Sequence, residues 1–273
     1  MENNQLPLVS IQCLVYNHEP FLRQCLDGFV MQKTNFKFEA IVHDDVSTDG
    51  SAEIIREYAE KYPDIIKPIY EIENQYSKKD GSLERIMNGA CKGKYIALCE
   101  GDDCWIDSMK LQMQVDVMEA RPEVSLCYTR NESFDIEQNK VVWIRGLDCV
   151  DFRSFLIYDE TITPTVMMRT IHLKQYEQEI HPNTRGWLMG DTPLWLWLSK
   201  KGEIHPIDVI TARYHAHAGS ASRVGSFERQ IEFAKSALEI RLFFINLYKD
   251  CYDLIPFQYD KFYRNSMILS YEY

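Results

Sequence analysis

The strongest constraint on this chain is the alternation within its first 130 residues. Short apolar runs of strand length are each followed by a segment whose apolar residues recur at helical spacing. Leu8–Val15 is the first run. After the turn-forming cluster Tyr16-Asn17-His18-Glu19-Pro20, Phe21, Cys25 and Phe29 share a helix face, and Pro20 suits a first helical turn. Phe36–His43 is the second run, followed by a helix face of Ile54, Ile55, Tyr58 and Tyr62 that Pro63 closes. Ile65–Tyr70 is the third. A polar loop over 74–81, a helical stretch over 83–91 and a strand over 94–99 come next. Asp107 can then cap a helix in which Leu111, Val115 and Met118 share a face, ahead of a strand over Val124–Tyr128. The pattern predicts an α/β fold: a mostly parallel sheet flanked by helices, joined by right-handed crossovers.

Two of these strands end in carboxylates. Tyr95–Cys99 runs into Glu100-Gly101-Asp102-Asp103, and Phe36–His43 runs into Asp44-Asp45. In a parallel sheet both clusters lie on the carboxyl edge, where open α/β sheets bind ligands. Gly101 lets the backbone turn tightly or approach a ligand. Like charges this close need a cation or hydrogen bonds to compensate them. The simplest physical reading is a divalent metal facing a phosphate at Glu100–Asp103, with Asp44-Asp45 holding a base or ribose. The bland alternative makes Asp44, Asp45 and Asp103 solvated turn and cap residues. No Gly-x-Gly-x-x-Gly follows the first strand and no Gly-x-x-x-x-Gly-Lys-Ser/Thr occurs, so dehydrogenase and P-loop readings lose their main support.

The second half is less regular. Val141–Ile144 and Thr163–Met168 read as strands, Pro193 begins a helix through Leu198, and Ile204–Arg213 leads into Tyr214-His215-Ala216-His217. Phe227–Tyr248 is a long helix, apolar on most of its circumference, which must be covered on more than one side. The formal net charge of −11 argues against a nucleic-acid partner. It does not exclude a phosphorylated ligand, because a bound metal inverts the local sign. The eight cysteines have no CxxC spacing and read as buried thiols of a reducing compartment. Met1-Glu2-Asn3-Asn4-Gln5 has no basic or apolar leader pattern and no 18-residue apolar stretch occurs. A cytoplasmic location is therefore expected, with contact at the inner membrane face left open.

Pro7-Leu8-Val9-Ser10-Ile11, Tyr16-Asn17, Asp44-Asp45-x-Ser47-Thr48-Asp49-Gly50-Ser51, Gly93-Lys94-Tyr95-Ile96 and Glu100-Gly101-Asp102-Asp103-x-Trp105 together resemble the family 2 glycosyltransferases of GT-A fold, to about Ser222. The resemblance implies an inverting transfer of a sugar from a nucleotide diphosphate sugar, usually UDP-linked, to an acceptor hydroxyl, using Mn²⁺ or Mg²⁺. It implies a hexosyltransferase of polysaccharide or glycoconjugate biosynthesis acting on a glycan or lipid-linked glycan. Carried over by motif, the Val15-Tyr16-Asn17 loop and Asp44 or Asp45 contact the nucleoside. Glu100-Gly101-Asp102 matches the family's DXD with Glu in the first place, so Asp102 binds metal and Glu100 faces the ribose or metal shell. Arg85 and Asn88 resemble an Arg-Asn element near the donor phosphate. Val15 departs from the family's Thr, which matters little if that contact is made by backbone. Asp191 matches the general base and His217 a histidine that completes the metal site. Asp159 and Glu160 are weaker base candidates without a motif. Trp105, Trp187, Trp195 and Trp197 suit core packing or sugar stacking, with Trp187 the choice for an acceptor pocket.

The expected organisation is a catalytic domain over 1–222, nucleotide-sugar-binding to about 130 and acceptor-binding beyond, with a helical extension over 223–273. That extension packs on the catalytic domain and on a second subunit, or rests on a membrane. Its few, mixed charges favour packing. Two rival functions are a sugar-phosphate nucleotidyltransferase, which needs a basic glycine-rich loop that Leu14–Glu19 lacks, and a degenerate nucleotide-sugar-binding module, against which Asp191 argues.

Overall fold

The computed structural model describes residues 6–158, 161–217 and 226–272. Its sheet is built from β1 (Val9–Val15), β2 (Phe38–Asp44), β3 (Ile66–Tyr70), β4 (Tyr95–Leu98), β5 (Cys104–Trp105), β6 (Val124–Asp135), β7 (Lys140–Arg145), β8 (Val166–Arg169) and β9 (Glu203–Ala216). The strand order is β3-β2-β1-β4-β8-β6-β9-β5, with β7 attached to β6. β1 to β4 are mutually parallel. β8 lies antiparallel between β4 and β6, which leaves β6 and its parallel neighbour β9 in the direction of the first four strands. Among the described residues β3 pairs with β2 alone, and this edge position tolerates Pro68, which has no N–H for a further ladder.

Period-two alternation splits the core between the two faces. Val9, Ile11, Cys13 and Val15 of β1 join Tyr95 and Ala97 of β4 beneath α1 (Glu19–Val30), α2 (Ser51–Lys61) and α4 (Lys110–Ala120). Ile41 faces the other way onto Leu83 and Met87 of α3 (Ser82–Ala90). Ile96, Leu126 and Met168 face α5 (Phe152–Ile157), α6 (Thr170–Ile180), α7 (Asp191–Leu198) and α8 (Phe227–Tyr248). The described cysteines are free thiols, six buried and two half-buried.

Several elements differ from the sequence expectation. β6 continues seven residues past Tyr128, because it pairs on both sides, with β9 and with β7. The stretch 163–165 is a 3₁₀ turn and only then becomes β8. α4 begins at Lys110, not at Asp107, whose carboxylate instead accepts the Met109 N–H at 2.7 Å in the turn before the helix. α5 and α6 carry little helical periodicity; α5 is set by a capping box between Asp151 and Ser154. α8 ends where the sequence predicts, and α9 (Ile255–Glu272) of the same chain packs against it.

Candidate active site

The loops after β1 and β2 are stitched together by the polar residues of the two turn motifs. Asn17 adopts a left-handed φ of 57°, which Asn tolerates. Its N–H donates to Ser47 Oγ at 2.9 Å, and its Oδ1 accepts the Thr48 N–H at 2.7 Å. The His18 N–H donates to Ser51 Oγ at 3.0 Å, and Asp49 accepts the Glu19 and Ser51 N–H groups at 3.0 Å each. Against the opposing effect of burial, the hydrogen bonds from Ser51 and Glu19 hold the Asp49 carboxyl below its ordinary range. Val46, between the two halves of the second motif, has φ 66°, an unfavourable conformation for a β-branched residue.

Asp44 and Asp45, both buried, divide their roles. Asp45 accepts the Gln75 N–H at 2.6 Å and the Tyr76 N–H at 3.0 Å, one on each oxygen, and so fastens the loop after β3. Asp44 accepts a single long bond of 3.4 Å from the Ser47 N–H. Of the two, Asp44 is the carboxylate with bonding capacity for a ligand. The Val15 side chain is buried and its carbonyl accepts the Asp45 N–H at 2.9 Å, while Tyr16, 49% exposed, and Asn17 face outward.

The acidic end of β4 packs against the same β1 loop. The Gly101 N–H donates to the Leu14 carbonyl at 2.9 Å. A Cβ there would lie 2.8 Å from His18 Nδ1 and 2.9 Å from Val15 Cγ2, so only glycine allows this approach. β5 pairs antiparallel with β9, Cys104 opposite Arg213, and this register carries His215-Ala216-His217, where β9 ends, over Asp102 and Asp103. The His215 N–H donates to Asp103 Oδ1 at 3.0 Å, and its Nδ1 lies 2.6 Å from the Asp102 carbonyl. His217 Nε2 is 3.2 Å from Asp102 Oδ2, and His18 Nε2 is 3.9 Å from the same oxygen. Phe21 of α1 packs on the His217 and His215 rings, with centroids at 4.7 and 5.5 Å. His18 is a residue that sequence reasoning placed in a turn and no further. The signal that could have found it is the glycine between Glu100 and Asp102.

Burial, then Asp102 and then Glu100, push the Asp103 carboxyl well up, opposed by the His215 N–H. Glu100 is raised to about 8 by desolvation first, then by Asp102 and Asp191. Part of the Glu100 side chain reaches solvent, and water screens some of that shift. Asp191, whose charge adds to the rise of Glu100, stands at the start of α7. Asp191 Oδ1 accepts the Thr192 N–H at 2.6 Å. Desolvation lowers the His18 and His215 imidazoles, keeping both toward the neutral form.

Other predicted site residues stand apart. Arg85 is exposed and donates to the Asp80 carbonyl at 2.8 Å. Asn88 bridges Gln12 and Glu177 at 2.9 and 2.6 Å, a structural tie between β1 and α6. Trp105, Trp195 and Trp197 are buried core. Trp187 packs edge-on against Phe243 of α8 with centroids at 5.4 Å, so it anchors its loop. Asp159, Glu160 and the end of the resemblance near Ser222 lie outside the described residues.

Among the described residues no three His, Cys, Asp or Glu side chains converge on one metal position. The donor set nevertheless fits a divalent cation. Asp102 Oδ1 is buried with no hydrogen-bond partner, and Oδ2 is shared with an imidazole. Glu100 and Asp103 beside it are carboxyls pushed toward the neutral form, and a cation would favour their charged form.

An acid-lined cleft at the carboxyl edge of parallel strands, with an imidazole brought over the acids by β9, is GT-A architecture. Residues 10–181 match the model of the family described as Glycosyl transferase family 2, and the chain belongs to that family. An uncharacterized Mycobacterium tuberculosis protein is 41% identical over 120 residues, 44% of this chain and 34% of that protein. The match thus spans about a third of the length of the first curated relatives. The Escherichia coli UDP-Glc:alpha-D-GlcNAc-diphosphoundecaprenol beta-1,3-glucosyltransferase WfaP is 26% identical over 220 residues, 80% of each chain. Among solved structures, S. aureus TarS 1-349 in complex with UDP-GlcNAc has a TM-score of 0.61 at 17% identity, covering 85% of this chain and 66% of that one. The mannosyltransferase PcManGT from Pyrobaculum calidifontis, in complex with GDP-Man and Mn2+, has a TM-score of 0.62 at 14% identity, covering 98% and 74%. These structural likenesses establish the fold. The nucleotidyltransferase reading is set aside by the family.

Proposed function

We propose that this glycosyltransferase moves a hexosyl unit from a UDP-sugar to an acceptor hydroxyl with inversion, in one displacement that depends on a divalent cation. The observation that carries the reading is the approach of His217 to Asp102 at the end of β4, with Asp191, from a third chain segment, near enough to act on the neighbouring Glu100. Asp44 and the Tyr16 loop receive the nucleoside. Asp102 and His217 would hold Mn²⁺ or Mg²⁺, with Glu100 and Asp103 beside them as carboxyls whose charged form a cation would favour. A cation there would offset the charge that develops on the leaving diphosphate. Asp191 takes the acceptor hydroxyl's proton as that oxygen attacks the anomeric carbon, a role worth roughly 10²–10⁴ in rate. The Thr192 N–H at 2.6 Å fixes one carboxylate oxygen and thereby its orientation. Arg85, tied to the Asp80 carbonyl, would reach the donor only by leaving it.

UDP as carrier is supported by the names of WfaP and of the TarS complex, and a cation by the PcManGT complex. WfaP's printed acceptor suggests a glycan or lipid-linked glycan here, in polysaccharide or glycoconjugate synthesis at the inner membrane face. No helix among the described residues is long and apolar enough to cross a membrane. We place catalysis within residues 1–222 and treat 223–273 as a helical extension. The test is thermal unfolding with UDP and Mn²⁺. The wild type should gain about 2.7 kcal/mol at 100 times Kd. Asp102→Ala should lose that protection, and retaining it would remove the metal assignment.

A further inference from the structure

We propose that Trp143, on the edge strand β7, is a sugar platform of the acceptor side, stacking on a ring of the acceptor glycan beyond the one that receives the transferred sugar. The proposal rests on the glycan-acceptor reading above. The chain has five tryptophans. Trp105, Trp195 and Trp197 are buried, and Trp187 is packed on Phe243 and Phe244. Trp143 is 61% exposed, so of the five it offers the open ring.

Strand register sets its surroundings. Trp143 stands opposite Ser133 of β6, and Ser133 stands opposite Tyr214 of β9. Neighbouring strands lie about 4.8 Å apart, so the backbone of Trp143 is roughly 10 Å across the sheet from Tyr214. Tyr214 leads into His215, whose N–H is bonded to Asp103, and His217, 3.2 Å from Asp102. That remove is too great for the reacting sugar and suits a ring further along the acceptor chain. Paired residues share a face of the sheet. Trp143 and Arg145 thus lie with Ser133, Asn131 and Tyr214, while the register shift after Ser133 puts Val141 with Ile144 on the other face. Trp143 is therefore one aromatic ring among polar groups and not part of an apolar stripe. A sugar matches that arrangement, because its C–H face covers an aromatic ring while its hydroxyls need hydrogen-bond partners. The Arg145 guanidinium lies 5.6 Å from the Trp143 ring centroid, and no carboxylate pairs with it among the described residues. Its donors suit hydroxyls or the carboxylate of an acidic sugar. Asn131, opposite Arg145, is buried with neither amide atom bonded, and ligand hydroxyls or their bridging waters would satisfy it.

The test titrates cellotetraose, chitotetraose and a hyaluronan tetrasaccharide into the full chain. Acrylamide quenching of tryptophan fluorescence reports the shielding of Trp143, and calorimetry reports affinity. At least one tetrasaccharide should shield the wild type saturably. Trp143→Ala should bind that sugar about tenfold or more weakly, the loss that truncating an aromatic anchor produces, and Trp143→Tyr should recover part of it. Arg145→Gln should weaken the acidic tetrasaccharide more than the neutral ones. Circular dichroism checks each fold, and Val150→Ala, exposed and outside β7, should bind as the wild type does. No shielding by any of the three sugars, or wild-type affinity in folded Trp143→Ala, would overturn the platform. Shielding that rises with protein concentration alone would overturn it by making β7 an edge between subunits. Shielding by phospholipid vesicles and not by sugars would overturn it by making β7 a membrane contact. Hydrolysis of a UDP-sugar by the wild type is read separately: hydrolysis without shielding retires the platform alone, and shielding without hydrolysis retires the transferase reading.

Discussion

Replacing Gly101 by Ala should damage the donor site through a single methyl group. The new Cβ would lie 2.8 Å from His18 Nδ1, 2.9 Å from Val15 Cγ2 and 3.3 Å from the Leu14 carbonyl oxygen. Comfortable contacts are about 3.5–4.0 Å, so neighbours must retreat by roughly 0.7 Å. Val15 is 1% exposed and wedged in the core, and Leu14 belongs to β1, so the His18 ring and its loop are the parts able to move. Overpacking of this kind costs about 1–3 kcal/mol, or roughly 2–10 °C in Tm for a chain of this size. Differential scanning calorimetry reads the loss, and the same scan with UDP and Mn²⁺ reads the site. Stabilisation by ligand should fall more than the apo stability does, because the displaced loop borders Asp102. Gly89→Ala is the control: nothing lies within 4 Å of its Cβ, and it sits in α3, where Ala in place of Gly adds about 0.5–1 kcal/mol. Wild-type melting and wild-type ligand protection in Gly101→Ala would refute the steric reasoning.

Lys110 is fully buried, its Nζ 2.5 Å from Gln114 Oε1, and desolvation holds it down to about 7, against opposing effects of Cys99 and Cys127. An unfolded lysine keeps its proton to about 10.4, so between pH 7 and that value the unfolded chain binds a proton the folded chain lacks. The cost is full below pH 7 and is relieved as pH rises. Relative to Lys110→Met, the wild type should therefore gain a few kcal/mol across that window in urea titrations, and parallel profiles would contradict it. Asp45→Ala should cost about 2–4 kcal/mol, from two lost charge-assisted bonds, and speed amide exchange at Gln75 and Tyr76. Asp44→Asn should leave stability within about 1 kcal/mol while weakening UDP binding in calorimetry.

The chain shows its architecture early because its strands are short apolar runs that end in charge. Val9–Val15 and Tyr95–Leu98 need only period-two burial to be recognised, and Glu100–Asp103 must then fall on the carboxyl edge. What the sequence hides depends on pairing across long separations. His215 and His217 reach Asp102 only because Cys104 and Trp105 pair with β9, over a hundred residues away. Asp44 and Asp45 are chemically alike in sequence, and only the loop at Gln75 and Tyr76 separates them by occupying both Asp45 oxygens. α5, α6 and α9 escape a periodicity reading because capping and packing on neighbours, not an apolar stripe, define them. The acceptor side is the least legible for the same reason: Trp187 looks like a sugar platform until α8 is seen to hold it.

Donor hydrolysis reads both the stereochemistry of transfer and the role of Asp191 without knowledge of the acceptor. The full chain would be incubated with an α-linked UDP-sugar and Mn²⁺, and the anomer first released followed by proton nuclear magnetic resonance. Inverting transfer to water releases the β-anomer first, and the rate should fall by roughly 10²–10⁴ in Asp191→Asn while UDP-sugar binding persists. Release of the α-anomer, or an Asp191→Asn rate equal to the wild type, would contradict it.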